Sequence, residues 1–133
     1  PEVNPFDQIN PGSDAIQLLY KLNHLQFYRA QIVRSDQDWV YKGVLHEYLH
    51  LEGKESPTHQ RLDGGHVKAD ISPLKRANTL EEKYANDAKI LEDALAKEPE
   101  NGRYAFYLAQ SYRDSNQIDK SIEAYTKRAE MGG

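Results

Sequence analysis

Chemistry is densest in this sequence at the string His46-Glu47-Tyr48-Leu49-His50. On a helix, two histidines four residues apart share one face. They can then hold zinc, with the intervening glutamate as general base. Gly53 falls where the longer form of that motif has a glycine, but Ser56 stands where its third histidine belongs. The residues leading in, 39–45, are aromatic and β-branched and read as a strand running into His46. Gly53 and Pro57 leave little room for a long buried helix. A zinc hydrolase is therefore the least favoured of three readings. Asp36-Gln37-Asp38 has the letters of a metal-binding Asp-x-Asp, but it sits in a turn cluster between two strand-like runs.

These residues need elements to position them. Residues 1–14 hold three of the six prolines and read as an irregular arm. From 15 to 45 the texture is β-like. In 25–34, Tyr28, Ala30 and Ile32 alternate with Arg29 and Gln31, which is strand period. Three antiparallel strands joined by short turns are predicted, with a short helix over 15–22 as the alternative. Residues 53–70 read as loop, with Asp63-Gly64-Gly65 as a turn.

The pattern then changes. Ser72-Pro73 and Thr79-Leu80-Glu81-Glu82 both resemble helix starts, the second as a capping box. Leu80, Tyr84, Ala88, Leu91 and Leu95 mark one helical face, closed by Pro99. Ala105, Leu108, Ala109 and Tyr112 define a second helix. Ile118, Ser121, Ile122, Tyr125 and Ala129 define a third. The fold class expected is α+β: an arm at 1–14, a β-rich part at 15–70 and an all-helical part at 71–133.

The 133 residues are 38 % hydrophobic and 29 % charged, with a net charge of −4. No run approaches a membrane span. Trp39, nine tyrosines and three phenylalanines argue against wholesale disorder. Neither half is basic, which excludes a nucleic-acid role. With no cysteine and no signal-peptide pattern, the expected location is cytoplasmic. The chain opens on Pro1 without an initiator Met and is expected to be a piece of something longer.

Leu108, Ala109, Tyr112, Ile118, Ser121 and Tyr125 fall where a tetratricopeptide repeat places its signature residues. Ser121 and Arg128 stand where alanine is common. One imperfect repeat, preceded by half of another, resembles either a peptide-binding module or a helical buttress, since such units need neighbours to bury their faces.

A wider string carries a second resemblance. Arg29-Ala30-Gln31-Ile32-Val33-Arg34 is followed by an acidic turn, an aromatic run from Trp39 and then His46-Glu47-Tyr48-Leu49. Asp63-Gly64-Gly65, Lys83-x-x-x-Asp87, Pro99-Glu100-Asn101-Gly102-Arg103-Tyr104, Phe106-Tyr107-Leu108-Ala109-Gln110-Ser111-Tyr112-Arg113-Asp114 and Met131-Gly132-Gly133 come after it in order. Over roughly 14–133 the chain resembles the C-terminal part of a bacterial family 2 glycosyltransferase of the GT-A class, followed by tetratricopeptide-like helices.

The resemblance implies inverting transfer of a sugar from a nucleotide-sugar donor to an acceptor. A divalent metal, Mn²⁺ or Mg²⁺, neutralises the departing diphosphate in the full enzyme. Glu47 is the implied acidic group that removes the acceptor proton, with His46 beside it. Trp39, Tyr41 and Arg34 are the implied substrate-binding residues, and His59 or His66 the implied metal ligand. The blander alternatives are Glu47 in a structural pair, Trp39 in a core and Asp63-Gly64-Gly65 as a plain turn. The family's nucleotide-binding strands and Asp-x-Asp lie before this region. The 133 residues are therefore expected to lack the donor site, to bind no metal alone and to be inactive alone. The alternative function is a non-catalytic repeat module that binds a protein partner.

Overall fold

A computed structural model describes residues 4–69 and 79–133. The chain is α+β, with strands in the first half and helices in the second. It divides into two compact units. One comprises residues 4–42 and 48–69. The other comprises Gly43–Glu47 and 79–133. The Ser72-Pro73 helix start and the boundary at Asp70 lie outside the described residues.

In the first unit, β1 (Ala15–Leu22) pairs antiparallel with β2 (Leu25–Val33). Their two-residue connection begins at Asn23, whose φ of 53° asparagine tolerates better than most residues. β1 is a strand and not a helix, because its side chains pair along β2 from Ala15 with Val33 to Leu22 with Leu25. The expected third strand of that sheet is corrected. β3 (Trp39–Lys42) pairs with β4 (Tyr48–Leu51) in a separate two-stranded sheet, and it ends at Lys42 because Gly43 turns the chain at φ 109°.

The expectation of loop over 53–70 is also corrected. β5 (His59–Lys68) pairs parallel with β1 and gives the sheet order β2-β1-β5. Asp63-Gly64-Gly65 is not a reversing turn. The register passes from Gln17 opposite Arg61 to Leu19 opposite His66, so the segment is an irregularity inside the strand. Gly64 at φ 94° allows it, and Pro5 packs 3.9 Å from where a Cβ would stand.

The arm is tied down. It forms a short 3-10 helix, Pro5–Gln8, and Gln60 brackets it by accepting from the Asn10 amide and donating to the Gln8 carbonyl. Asp14, 4 % exposed, ends the arm as a polar hub. It accepts from Gln37 Nε2 at 2.7 Å, Lys54 Nζ at 2.6 Å and the Thr58 amide at 2.7 Å. These bonds hold its carboxyl well below the usual carboxylate range.

The second unit contains α1 (Leu80–Lys97), α2 (Gly102–Asp114) and α3 (Ile118–Glu130). Thr79 Oγ1 caps α1 by accepting from the Glu82 amide, and Asn101 caps α2 through Tyr104. Ala88, Leu91 and Ala94 of α1 pack on Tyr104, Leu108 and Tyr112 of α2. Leu91 is fully buried, which stabilises the packing by about 1.5–3 kcal/mol. Tyr112 Oη donates to Glu92 across the α1–α2 seam.

α3 lies against α2 through small residues. Ser121 Oγ donates to the Ala109 carbonyl at 2.9 Å, and Ala109 is fully buried. Of the face predicted for α3, Ser121 is buried, but Ile118 and Ile122 are exposed, because Ala124 and not Ile122 meets the core. On α1, Leu80 is exposed, and Ala94 is buried more deeply than Leu95.

Candidate functional site

His46 and Glu47 belong to the helical unit, within the segment Gly43–Glu47. Two backbone features shape this segment. Gly43 has φ 109°, and a Cβ there would meet the Leu45 carbonyl oxygen at 3.1 Å. His46 has φ 52°, a left-handed conformation that a non-glycine residue keeps only when its surroundings hold it.

The surroundings do hold it. Leu45 packs against the Ala88–Leu91–Leu108 cluster. The His46 ring lies flat on Tyr107, with centroids 3.9 Å apart and planes 11° from parallel. Arg103 Nη2 donates to the His46 carbonyl at 2.6 Å, and its guanidinium carbon sits 5.0 Å from the Tyr107 centroid. Lys83 and Asp87 of α1 form an ion pair at 2.7 Å within electrostatic reach of His46.

Partial desolvation of the imidazole, whose residue is otherwise exposed, is the largest influence on its proton affinity and lowers its pKa. Asp87 opposes this, while Lys83 and Arg103 reinforce it. The shift favours the neutral ring, with one nitrogen a donor and the other an acceptor. Glu47 follows it directly and is exposed. An exposed carboxylate beside a neutral imidazole, on a fixed turn, can take a proton from an approaching hydroxyl.

The histidine–glutamate string is not helical. Tyr48–Leu51 is β4, and His50 Nε2 lies 3.9 Å from Glu52. The one-face geometry of a helical zinc motif is absent.

The remaining candidates lie in the first unit. Arg34 forms a bidentate pair with Asp36, at 2.9 and 2.6 Å, and donates to the Pro11 carbonyl at 2.7 Å. Its donors are engaged within the unit, and Asp36 is thereby held in an ion pair in the turn before β3. Trp39 Nε1 donates to Gln37 Oε1, and Gln37 in turn donates to Asp14. Tyr41 is 58 % exposed on β3, opposite Leu49. His59 and His66 are both exposed on β5, opposite Ala15 and Leu19. Their partners on β1 are four residues apart, which separates the two histidines by roughly 13 Å along the sheet, so they do not share one ion. Among the described residues, no three His, Cys, Asp or Glu side chains gather as a metal site. No described helix is long and apolar enough to cross a membrane.

Sequence reasoning gave no role to Arg103, Tyr107, Lys83 or Asp87. The i, i+4 spacing of Arg103 with Tyr107 and of Lys83 with Asp87 is visible in the sequence. Their convergence on His46 is not, since Arg103 lies 57 residues away. Asp14 likewise read as the end of an irregular arm and is the polar centre of its unit.

No protein-family model matches the chain, and no curated protein matches it.

Proposed function

We propose that the chain is the C-terminal portion of an inverting family 2 glycosyltransferase, with Glu47 as the base that activates the acceptor. The observation that carries this reading is the placement of Glu47, an exposed carboxylate on a turn fixed by the His46–Tyr107 stack and the Arg103 hydrogen bond. The ordered motifs from Arg29 to Gly133 support it. In the step, the acceptor oxygen forms a bond to the anomeric carbon while its proton passes to a Glu47 oxygen. The bond from that carbon to the diphosphate oxygen breaks, and the diphosphate keeps the electron pair. A divalent metal, when bound by the full enzyme, would supply charge neutralisation of the diphosphate. On this reading the metal's Asp-x-Asp lies outside these residues.

The reading is tested in two ways. The coding sequence upstream of Pro1 is expected to hold a strand-rich segment with Asp-x-Asp, and further helical repeats there would overturn it. The 133-residue chain, given nucleotide sugars with Mn²⁺ or Mg²⁺, is expected to show no turnover. Robust turnover would contradict a donor site outside these residues.

The second reading is a protein-interaction module of the helical unit. It is favoured by a groove of about 410 Å³ on that unit, lined by Leu95, Pro99, Leu108, Tyr112, Ala124 and Met131. A run of repeats upstream of Pro1 would favour it over the enzyme.

A further inference from the structure

We propose that Arg103 and Tyr107, on successive turns of α2, are positioning residues that set the direction of the Glu47 carboxylate. The inference deepens the glycosyltransferase reading and rests on it for the role of Glu47. The His46 carbonyl shares its peptide plane with the Glu47 amide. Arg103 Nη2, at 2.6 Å from that carbonyl, therefore fixes the plane from which Glu47 departs. The His46 ring, flat on Tyr107 at 3.9 Å, fixes the same residue from its side chain.

Two restraints are needed because His46 sits at φ 52°. Released, a histidine there relaxes to an extended or right-handed conformation, which swings the next residue away. Arg103 and Tyr107 are four apart on one helix face, and the guanidinium lies 5.0 Å from the Tyr107 centroid. The clamp is thus a single unit built on α2. Lys83 and Asp87 on α1, together with Arg103 itself, are the charged groups that act on the His46 imidazole. The helical segment then has a use besides docking: it is part of the frame of the acceptor-activating group. A misaligned base costs rate and leaves binding largely intact.

The test has an arm that needs no activity. In NMR spectra of the 133-residue chain, the His46 ring protons are expected upfield, under the Tyr107 ring current. Arg103→Met and Tyr107→Leu are expected to move the His46 ring and Glu47 amide signals toward random-coil positions while helical circular dichroism is kept. Arg103→Lys, which retains a charged donor, is expected to keep most of the native shifts. In the longest natural chain containing these residues, Arg103→Met is expected to lower kcat about tenfold to a hundredfold with little change in KM, and Arg103→Lys to restore most of it. Unmoved His46 and Glu47 signals in Arg103→Met would overturn the clamp, as would an unchanged kcat. If Glu47→Gln leaves transfer intact, Glu47 is not the base and the role assigned to the clamp fails with it; if the wild-type chain transfers no sugar, the glycosyltransferase reading fails, and the NMR arm then still reports whether the turn is held.

Discussion

Replacing Leu91 by alanine tests the packing on which the Gly43–Glu47 turn rests. Leu91 is fully buried between α1 and α2, against Tyr104, Leu108 and Tyr112, and Leu45 of the turn packs on the same cluster. The substitution removes three carbons. At about 0.8 kcal/mol per buried methylene, the transfer loss is about 2.4 kcal/mol. The surrounding tyrosine rings, held by two helices, collapse only partly into the space, so a cavity contribution of about 1 kcal/mol is added. The expected loss is therefore about 3–4 kcal/mol. A unit of roughly 60 residues has a stability of roughly 3–9 kcal/mol, so much of it disappears. Urea unfolding followed by circular dichroism at the helical band measures this loss. A change below about 1 kcal/mol would refute the reasoning, because it would mean that Leu91 is not a packed, inextensible contact.

Other outcomes follow from the same contacts. Ser121→Leu forces a large side chain against fully buried Ala109 and is expected to cost about 1–3 kcal/mol in urea unfolding, while Ser121→Ala, which loses only the bond to the Ala109 carbonyl, costs about 1 kcal/mol. Thr79→Ala removes the cap on α1 and is expected to cost about 1 kcal/mol, with faster amide exchange confined to the first turn. The Asp14 carboxyl has a lowered folded pKa, so its contribution is fully present above about pH 4 and is lost as pH falls below that. Asp14→Asn is expected to lower the melting temperature at pH 7 and to flatten its fall between about pH 4 and pH 2.

The helices were legible because their signals are local. Thr79 and Asn101 cap them, Pro99 and Gly102 separate them, and the apolar positions repeat every three or four residues. β2 was legible through alternation, whereas the apolar run of β1 left a short helix open until its pairing with β2 settled it. β5 was not, because Asp63-Gly64-Gly65 carries a turn composition and the strand is fixed by parallel pairing with a segment more than forty residues earlier. β4 was hidden inside a string whose spacing suggests a helix, and only its pairing with β3 makes it a strand. At the site, His46 and Glu47 stood out by type. Arg103 and Tyr107 did not, because a stack and a hydrogen bond across 57 residues leave no spacing to read. The exposure of Ile118 and Ile122 also ran against the periodic pattern, since the small side chains of Ser121 and Ala124 face the core instead.

The central claim is that Glu47 takes the acceptor proton. It is tested most directly by Glu47→Gln in the longest natural chain containing these residues, assayed for sugar transfer from a nucleotide donor. The expected result is a fall in kcat of about a hundredfold or more with KM nearly unchanged. Transfer at the wild-type rate would contradict it.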